Sequence, residues 1–251
     1  MRIMELKKSE YIPVQYQGTK SFGGNQCWYP TEHYLSQDYA IHKWGCGAVA
    51  IADLFLYLAR ADHARDTSAT SLARASRLIY SYEDYTLYLK FMQRRFTPIL
   101  PYAGMNGFML AAAANHYAMK YQIPIKASWK AFLNDDQMIR AIRRMISEDI
   151  PVIISIGPNT PLFFKKEGIH FYIKSNKEDN TKLEHYSIGA RNVHAHYVTV
   201  TGIVGLKNKK MLLKIASWGR EYYIDFQEWR EYIAQFGDRL TSSLLYVEWR
   251  S

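Results

Sequence analysis

The chain has 251 residues, of which 48% are hydrophobic and 22% are charged. These are values of a folded globular protein, so the composition excludes an intrinsically disordered chain. The 32 Lys and Arg outnumber the 23 Asp and Glu and give a formal net charge of +9, which favours acidic ligands. The basic residues lie in separate segments, without a zinc-finger spacing or an RNA-binding motif, so the sequence does not favour nucleic acid as a partner.

The N-terminus lacks the apolar core of a signal peptide, and no segment reaches the roughly 18 apolar residues of a membrane span. We therefore expect a cytoplasmic protein with no membrane span. The two cysteines, Cys27 and Cys46, are too few for a disulfide framework or a thiolate metal cage. A single bridge between them stays open, although an intracellular setting disfavours it. We interpret Cys27, which no helix follows, as structural, and the sequence does not determine the oligomeric state.

The sequence pattern predicts an extended arm followed by helices in the first part of the chain. Residues 1–41 have no sustained period and contain Gly and Pro breaks, which predicts an extended surface arm. The stretch 42–58 then contains a glycine-flanked cysteine and about three turns of apolar helix. Further helical patterns lie at 71–81, at 84–96, at 106–121, and from the capping sequence at 134–137 to residue 145. We therefore expect a helical half over 42–148.

The pattern changes to strands near residue 150. Strand candidates lie at 150–156, 168–174, 182–186, 194–204, 211–216, 221–224 and 243–249, and one helix at 226–236 is capped by Asp225. Helices first and strands later, without a βαβ rhythm, predict an α+β fold. We expect residues 1–251 to form one domain, in which the helical half packs on a mostly antiparallel β half (149–251) with a cleft between them.

Cys46 is the candidate nucleophile. It lies at the start of the apolar helix, where unpaired N–H groups and the helix dipole favour a thiolate. Small residues after it, among them Gly47 and Ala48, leave room beside the sulfur. The alternative interpretation is an inert buried cysteine, since a free Cys also behaves as a small hydrophobe.

A nucleophilic thiol needs a base that is held rigidly beside it. His196 begins an alternating β-branched strand and can supply an imidazole at the strand's end. His194, on the same predicted strand, is the rival candidate. Ser217 follows the next strand, which is expected to return beside His196, and it could orient the ring. The alternatives are an ordinary strand histidine and a turn-forming serine.

These stretches together resemble the papain-like cysteine peptidase superfamily. The resemblance rests on Gly45-Cys46-Gly47 before an apolar helix, on the spacing of His196 to Gly202, and on Ser217-Trp218-Gly219 after the following strand. Cys46-Gly47, His196-Tyr197-Val198 and Pro151-Val152-Ile153 are also similar to the double-glycine leader peptidases of the same superfamily. The likeness covers about residues 40–60 and 148–230.

The resemblance implies a papain-like fold and a cysteine hydrolase that cleaves peptide or amide bonds of a peptide or protein substrate. Cys46 would attack the carbonyl, His196 would take and return the proton, Ser217 would orient the ring, and water would clear a thioacyl intermediate. No metal or organic cofactor is implied. The family's oxyanion-hole Gln corresponds to Ala40, so that role falls to Gln37 or His42.

Two alternatives stay open at the level of the sequence. An acyltransferase of transglutaminase type would use the same Cys and His with an amine acceptor. A catalytically weakened or inactive papain-like module would bind peptides without turnover. The second alternative is motivated by Ala40 and by Ala216, which takes the place of the family's orienting Asn.

Overall fold

In a computed structural model the chain is described over residues 3–64, 66–73, 79–158, 167–175, 185–207 and 210–250. These residues form six α-helices and a large, mostly antiparallel sheet, which confirms the predicted α+β class. Backbone contacts divide the chain into two compact units. The sheet unit comprises Met1–Leu6, Lys130–Ala216 and Glu221–Tyr246, and the helical unit comprises Lys7–Trp129, Ser217–Arg220 and Val247–Ser251.

The helical unit holds four α-helices. They are α1 (Gln37–Trp44), α2 (Cys46–Arg60), α3 (Tyr82–Arg95) and α4 (Gly107–Tyr121). Short strands accompany them: β2 (Val14–Tyr16), β3 (Thr19–Lys20), β4 (Tyr80–Ser81) and β5 (Ile125–Lys130), the last of which pairs with the final strand of the chain. Two 3-10 turns lie at Gln26–Trp28 and Thr70–Ala73.

Helix α2 forms the centre of this unit because it is apolar on almost every side. Ile51, Leu54 and Phe55 are all buried on it, as expected for a helix surrounded by other elements. Gly45 separates it from α1. A Cβ at Gly45 would lie 2.3 Å from the Ile41 carbonyl oxygen, so only glycine permits this sharp connection.

Over the described residues, no single helix has the length and apolar character needed to cross a membrane. The pair α1 and α2, bent by 91° at its break, passes that test by length and composition when its two members are taken together.

At least half of each of eight strands lies in the sheet unit: β1 (Ile3–Glu5), β6 (Val152–Ser155), β7 (Ile169–Lys174), β8 (Tyr186–Val193), β9 (Tyr197–Gly205), β10 (Met211–Ser217), β11 (Arg220–Asp225) and β12 (Leu244–Trp249). The terminal residues Ser217 of β10 and Arg220 of β11, and the end of β12 from Val247, group with the helical unit. The order of the strands is β12-β6-β9-β10-β11-β7-β8, and β1 pairs with β9. The central strand β9 is antiparallel to both β6 and β10, with Val200 opposite Val152 and Thr199 opposite Ala216. Helices α5 (Asp135–Ser147) and α6 (Phe226–Gln235) complete the unit.

Several predicted elements are confirmed with small shifts in their ends. Helix α5 has the predicted capping box, in which Asn134 and Gln137 exchange side chain to backbone hydrogen bonds. Asp225 caps α6 as predicted. Helix α2 begins at Cys46 itself. Helix α5 groups with the sheet unit, however, and not with the helical segment in which the sequence places it.

Other predictions are wrong. The arm over 1–41 contains three short strands, and α1 begins at Gln37 with the Ser36 hydroxyl as its cap. The expected helix over 71–81 is a 3-10 turn at its start and strand β4 at its end, and residues 74–78 lie outside the described chain. The strand at 182–186 falls mostly outside it too, and β5 and β8 were not predicted. Short elements are set by their tertiary neighbours more than by local propensity.

Candidate functional site

The structure places Cys46 as the first residue of α2, half-buried and not bonded in a disulfide. No described side chain caps this helix, because the cap position is occupied by Gly45. The amides of the first turn therefore lack the usual side-chain acceptor, and they point with the positive end of the helix dipole toward the start of α2. This is an environment that stabilises a thiolate relative to a thiol.

Cys27 lies in a different environment. Its backbone N–H donates to the Asn25 side chain at 2.8 Å within the 3-10 turn. The residue as a whole is exposed, yet desolvation of its sulfur by the surrounding protein raises the pKa of its thiol. This cysteine is therefore held in its less nucleophilic form.

The structure places His196 in the sheet unit, immediately before β9. The backbone here continues the pairing with the chain after β6: the Ile156 N–H donates to the His196 carbonyl at 2.9 Å, and the Ala195 N–H donates to the Gly157 carbonyl at 2.6 Å. The Phe171 ring lies 6.4 Å from the imidazole. His196 is thus fixed by backbone bonds at the head of the central strand.

The His196 side chain is only 8% exposed. This burial lowers the pKa of its imidazole to about 3, because the charged form loses its hydration. The ring is therefore neutral at physiological pH. A neutral imidazole carries its proton on one nitrogen and a lone pair on the other.

His194 was predicted to lie on the same strand as His196, and this is wrong. Strand β9 begins at Tyr197, and the intervening Ala195 has a positive φ of 48° that breaks the alternation. The His194 ring is half-buried, and its Nδ1 lies 3.2 Å from the Asn192 carbonyl. The structure therefore separates the two histidines in conformation and burial.

Ser217 is buried at the end of β10, directly before a tight turn. Trp218 and Gly219 at the centre of this turn both have positive φ, of 49° and 72°, as in the type I′ turns of β-hairpins. A tryptophan in this region is strained by about 1–2 kcal/mol. The residues Ser217–Arg220 belong to the helical unit.

Backbone bonds tie this turn to the N-terminal segment of the helical unit. The Gly219 N–H donates to the Gly24 carbonyl at 3.0 Å, and the Phe22 N–H donates to the Gly219 carbonyl at 2.8 Å. Gly24 in turn donates its N–H to a carboxylate oxygen of Asp53 on α2 at 2.9 Å. Gly24 therefore links the turn after Ser217 to the central helix.

Asp53 lies two turns after Cys46, and a separation of seven residues places both on the same face of α2, about 10 Å apart along the axis. Its carboxylate also accepts a hydrogen bond of 2.7 Å from the Tyr85 hydroxyl on α3. The face of α2 that carries Cys46 is thus the face to which the Ser217–Gly219 turn is tied through Gly24.

The two predicted oxyanion donors lie on α1 with their side chains engaged. The Gln37 side-chain nitrogen donates to the Lys90 carbonyl and to the Gln93 side chain, both at 2.8 Å, and the Gln37 side-chain oxygen accepts from Arg94 at 3.0 Å. Gln37 therefore clamps α1 to α3. An oxyanion role for it requires that these bonds break.

The His42 ring is also held in place. Its Nδ1 lies 2.7 Å from the Tyr29 carbonyl, a contact that assigns the proton to Nδ1. In the neutral ring the other nitrogen, Nε2, is then an acceptor. Because the Gln37 amide and the His42 Nδ1 are engaged elsewhere, the backbone N–H groups at the start of α2 are the candidate oxyanion donors nearest in sequence to the thiol.

A chain of aromatic rings that no sequence motif predicts lies beside the start of α2. Tyr34 contacts Tyr39, Tyr39 contacts Trp44, and Trp44 contacts Tyr102, with ring centroids 5.1–5.7 Å apart. Tyr34 is 61% exposed and Tyr102 is 73% exposed. Tyr39 and Trp44 lie on α1, and Tyr34 lies just before it. Tyr102 lies in a loop that is distant in sequence, so no local motif identifies the whole chain of rings.

Comparisons of the chain with family models, with curated proteins and with solved structures found no match. Among the described residues, no group of three or more His, Cys, Asp or Glu side chains is placed to hold a metal ion.

Proposed function

We propose that the protein is a papain-like cysteine hydrolase that acts on peptide or amide bonds, with Cys46 as its nucleophile. The observation that carries this proposal is the position of Cys46 at the uncapped N-terminus of a buried helix. Helix α2 is rigidly packed, so the sulfur has a fixed position, which nucleophilic attack requires.

In the proposed mechanism the Cys46 sulfur attacks the substrate carbonyl, and the first-turn amides of α2 stabilise the oxyanion that forms. His196 accepts the thiol proton and returns it to the leaving amine. Water then attacks the thioacyl intermediate, releases the acid and restores the thiol. Ser217 is the group proposed to orient the imidazole.

Three further observations support this assignment of roles. His196 is held by backbone bonds at the head of β9, which gives the proposed base a fixed position. The turn after Ser217 is tied to the helix face that bears Cys46. The exposed Tyr34 and Tyr102 rings give the same unit an apolar surface on which a substrate can lie.

The test compares the two cysteines of the chain by alkylation. Iodoacetamide should label Cys46 at pH 6 at least about tenfold faster than Cys27, because only a thiolate reacts, Cys46 lies at the N-terminus of an α-helix, and burial raises the pKa of the Cys27 thiol. Mass spectrometry of the peptides assigns each label. Equal rates at both thiols contradict an activated Cys46.

Activity is then measured on a library of internally quenched peptides. Cys46→Ala should abolish cleavage, and Cys27→Ser, the matched control, should leave it unchanged. An added primary amine separates hydrolysis from acyl transfer, since a transferase forms the amide in preference to the acid. Cleavage that persists in Cys46→Ala overturns the proposed nucleophile.

A second candidate function is a peptide-binding module without turnover. The observation that favours it is the engagement of the Gln37 amide by α3, which removes a side-chain donor from the oxyanion role. Losing one such donor costs about 10²–10³ in rate. Peptides that bind the wild-type chain and Cys46→Ala equally, and that neither protein cleaves, identify this second function.

A further inference from the structure

The carboxyl group of Asp53 is an ionisable group in the interior that the proposed mechanism does not use. It lies in the middle of α2 and is 2% exposed. Buried carboxylates are costly unless hydrogen bonds compensate for the lost hydration. Its two oxygens accept one bond each, from the Gly24 N–H at 2.9 Å and from the Tyr85 hydroxyl at 2.7 Å.

The surroundings of Gly24 show that its contact with Asp53 requires a glycine. A Cβ at Gly24 would lie 1.8 Å from the Tyr85 hydroxyl oxygen, so the position admits no side chain. Gly24 therefore approaches Asp53 and Tyr85 as bare backbone. Its own carbonyl then accepts the bond from the Gly219 N–H.

The turn at the other end of this connection needs support from outside. Trp218 has a positive φ, a conformation that a tryptophan keeps only where neighbouring contacts impose it. The bond that the Gly219 N–H donates to Gly24 and the bond that the Gly219 carbonyl accepts from Phe22 are such contacts. The order of the turn that follows Ser217 thus depends on how firmly Gly24 is held.

We propose that Asp53 is a positioning residue, whose carboxylate holds Gly24 and through it the Ser217–Gly219 turn on the face of α2 that bears Cys46. Only the expected effect of Asp53 on catalysis rests on the proposed function. The positioning of the turn is a property of the fold, and it can be measured without any activity.

The ionisation of Asp53 makes this connection sensitive to pH. Burial raises the pKa of the carboxyl to about 7, while the bonds from Gly24 and Tyr85 oppose the rise. The titratable groups that interact with it are Tyr29, Tyr85 and Tyr88, and burial holds the pKa of each phenol above its usual range. These phenols stay neutral between pH 5 and pH 9, so Asp53 is the member of this group that titrates there.

Hydrogen exchange on the full-length chain tests the proposal. After correction for the intrinsic rate, protection of the peptide that covers Ser217–Arg220 should rise about tenfold between pH 5.5 and pH 8.5, which corresponds to one charge-assisted hydrogen bond. Asp53→Asn should lower the protection about tenfold at pH 8.5 and remove its pH dependence. Tyr85→Phe, which keeps the bond to Gly24, should retain the pH dependence.

Protection that is independent of pH in the wild-type chain and unchanged in Asp53→Asn overturns the proposal. If Asp53→Asn fails to fold, the pH series of the wild-type chain alone decides the question. If peptide cleavage is detected, Asp53→Asn should lower kcat with little change in KM and shift the acid limb of the pH profile. A chain that cleaves no peptide but shows the exchange pattern refutes the proposed function and leaves the positioning role intact.

Discussion

Two buried ionisable side chains, one in each unit, show opposite responses to the same physical effect. Asp53 in the helical unit has its pKa raised to about 7 by burial, and His196 in the sheet unit has its pKa lowered to about 3 by burial. Both groups are pushed toward the neutral form. Asp53 accepts hydrogen bonds from Gly24 and Tyr85 that partly compensate the loss of water, and desolvation is the cause of the shift at His196.

The two shifts have opposite effects on stability. Between pH 4 and pH 7 the folded chain binds more protons at Asp53 than the unfolded chain, so this residue makes stability fall as the pH rises. Between pH 3 and pH 6.5 the unfolded chain binds more protons at His196, so this residue makes stability rise with pH. From pH 5 to pH 6.5 the two contributions cancel approximately, and single substitutions should separate them.

The largest expected effect comes from the packing around Asp53. Gly24→Ala forces a methyl group against the Tyr85 hydroxyl and should cost about 3 kcal/mol of unfolding free energy. Urea unfolding measures it. Gly18→Ala is the control: Gly18 has a positive φ of 77°, which strains an alanine, but no atom lies within 4 Å of its added Cβ, so it should cost about 1 kcal/mol. Equal losses in both variants would contradict tight packing at Gly24.

The next prediction isolates the contribution of Asp53 to the pH dependence of stability by removing His196, the ionisable group in the sheet unit. His196→Gln removes the group that makes stability rise with pH. Because Asp53 still titrates, the free energy of unfolding of the variant should fall by about 2 kcal/mol from pH 5 to pH 6.5. Unfolding free energies at these two pH values measure it. A variant whose free energy of unfolding does not fall over this range shows that His196 is not the group that opposes Asp53.

Asp53→Asn makes the complementary comparison. The introduced asparagine cannot titrate, so His196 is the member of the pair that still changes stability with pH. The free energy of unfolding should therefore rise by about 2 kcal/mol from pH 5 to pH 6.5 in the Asp53→Asn variant. The same urea series detects this. If both single variants have the same slope with pH, the proposed opposition of the two groups is wrong.

The smallest effect comes from the hydroxyl that donates to Asp53. Tyr85→Phe removes one buried hydrogen bond and should cost about 1 kcal/mol. The remaining carboxylate is less well solvated, so the pKa of Asp53 should rise further, which carbon NMR of its carboxyl group can follow. Tyr82→Phe on the same helix is the control, because its hydroxyl donates to the Trp28 carbonyl instead. An unchanged pKa in Tyr85→Phe contradicts this role of the hydroxyl.

Local patterns determined a large part of the fold. The apolar run after Cys46, the capping sequence at Asn134 and the alternation after His196 each predict an element that the structure contains. These signals are local because hydrophobic periodicity and capping depend on residues within a few positions of one another. Helix α1 could have been predicted from Ser36, whose hydroxyl caps it.

For the candidate site, the sequence predicted that Cys46 begins a helix, which is confirmed, and that His196 begins a strand, whereas β9 begins one residue later at Tyr197. It could not show that Gln37 is engaged by α3, that Ala195 turns the chain between the two histidines, or that Gly24 connects the turn after Ser217 to Asp53. Each of these contacts joins segments that are distant along the chain.

The sequence by itself thus determined the fold class, the start of α2 and the residue types available for catalysis, because these follow from short-range patterns. Only the tertiary structure decided the ionisation states of Asp53 and His196. Desolvation depends on how many atoms from other segments surround a side chain, and that number is a property of the folded core and not of the neighbouring residues in the sequence.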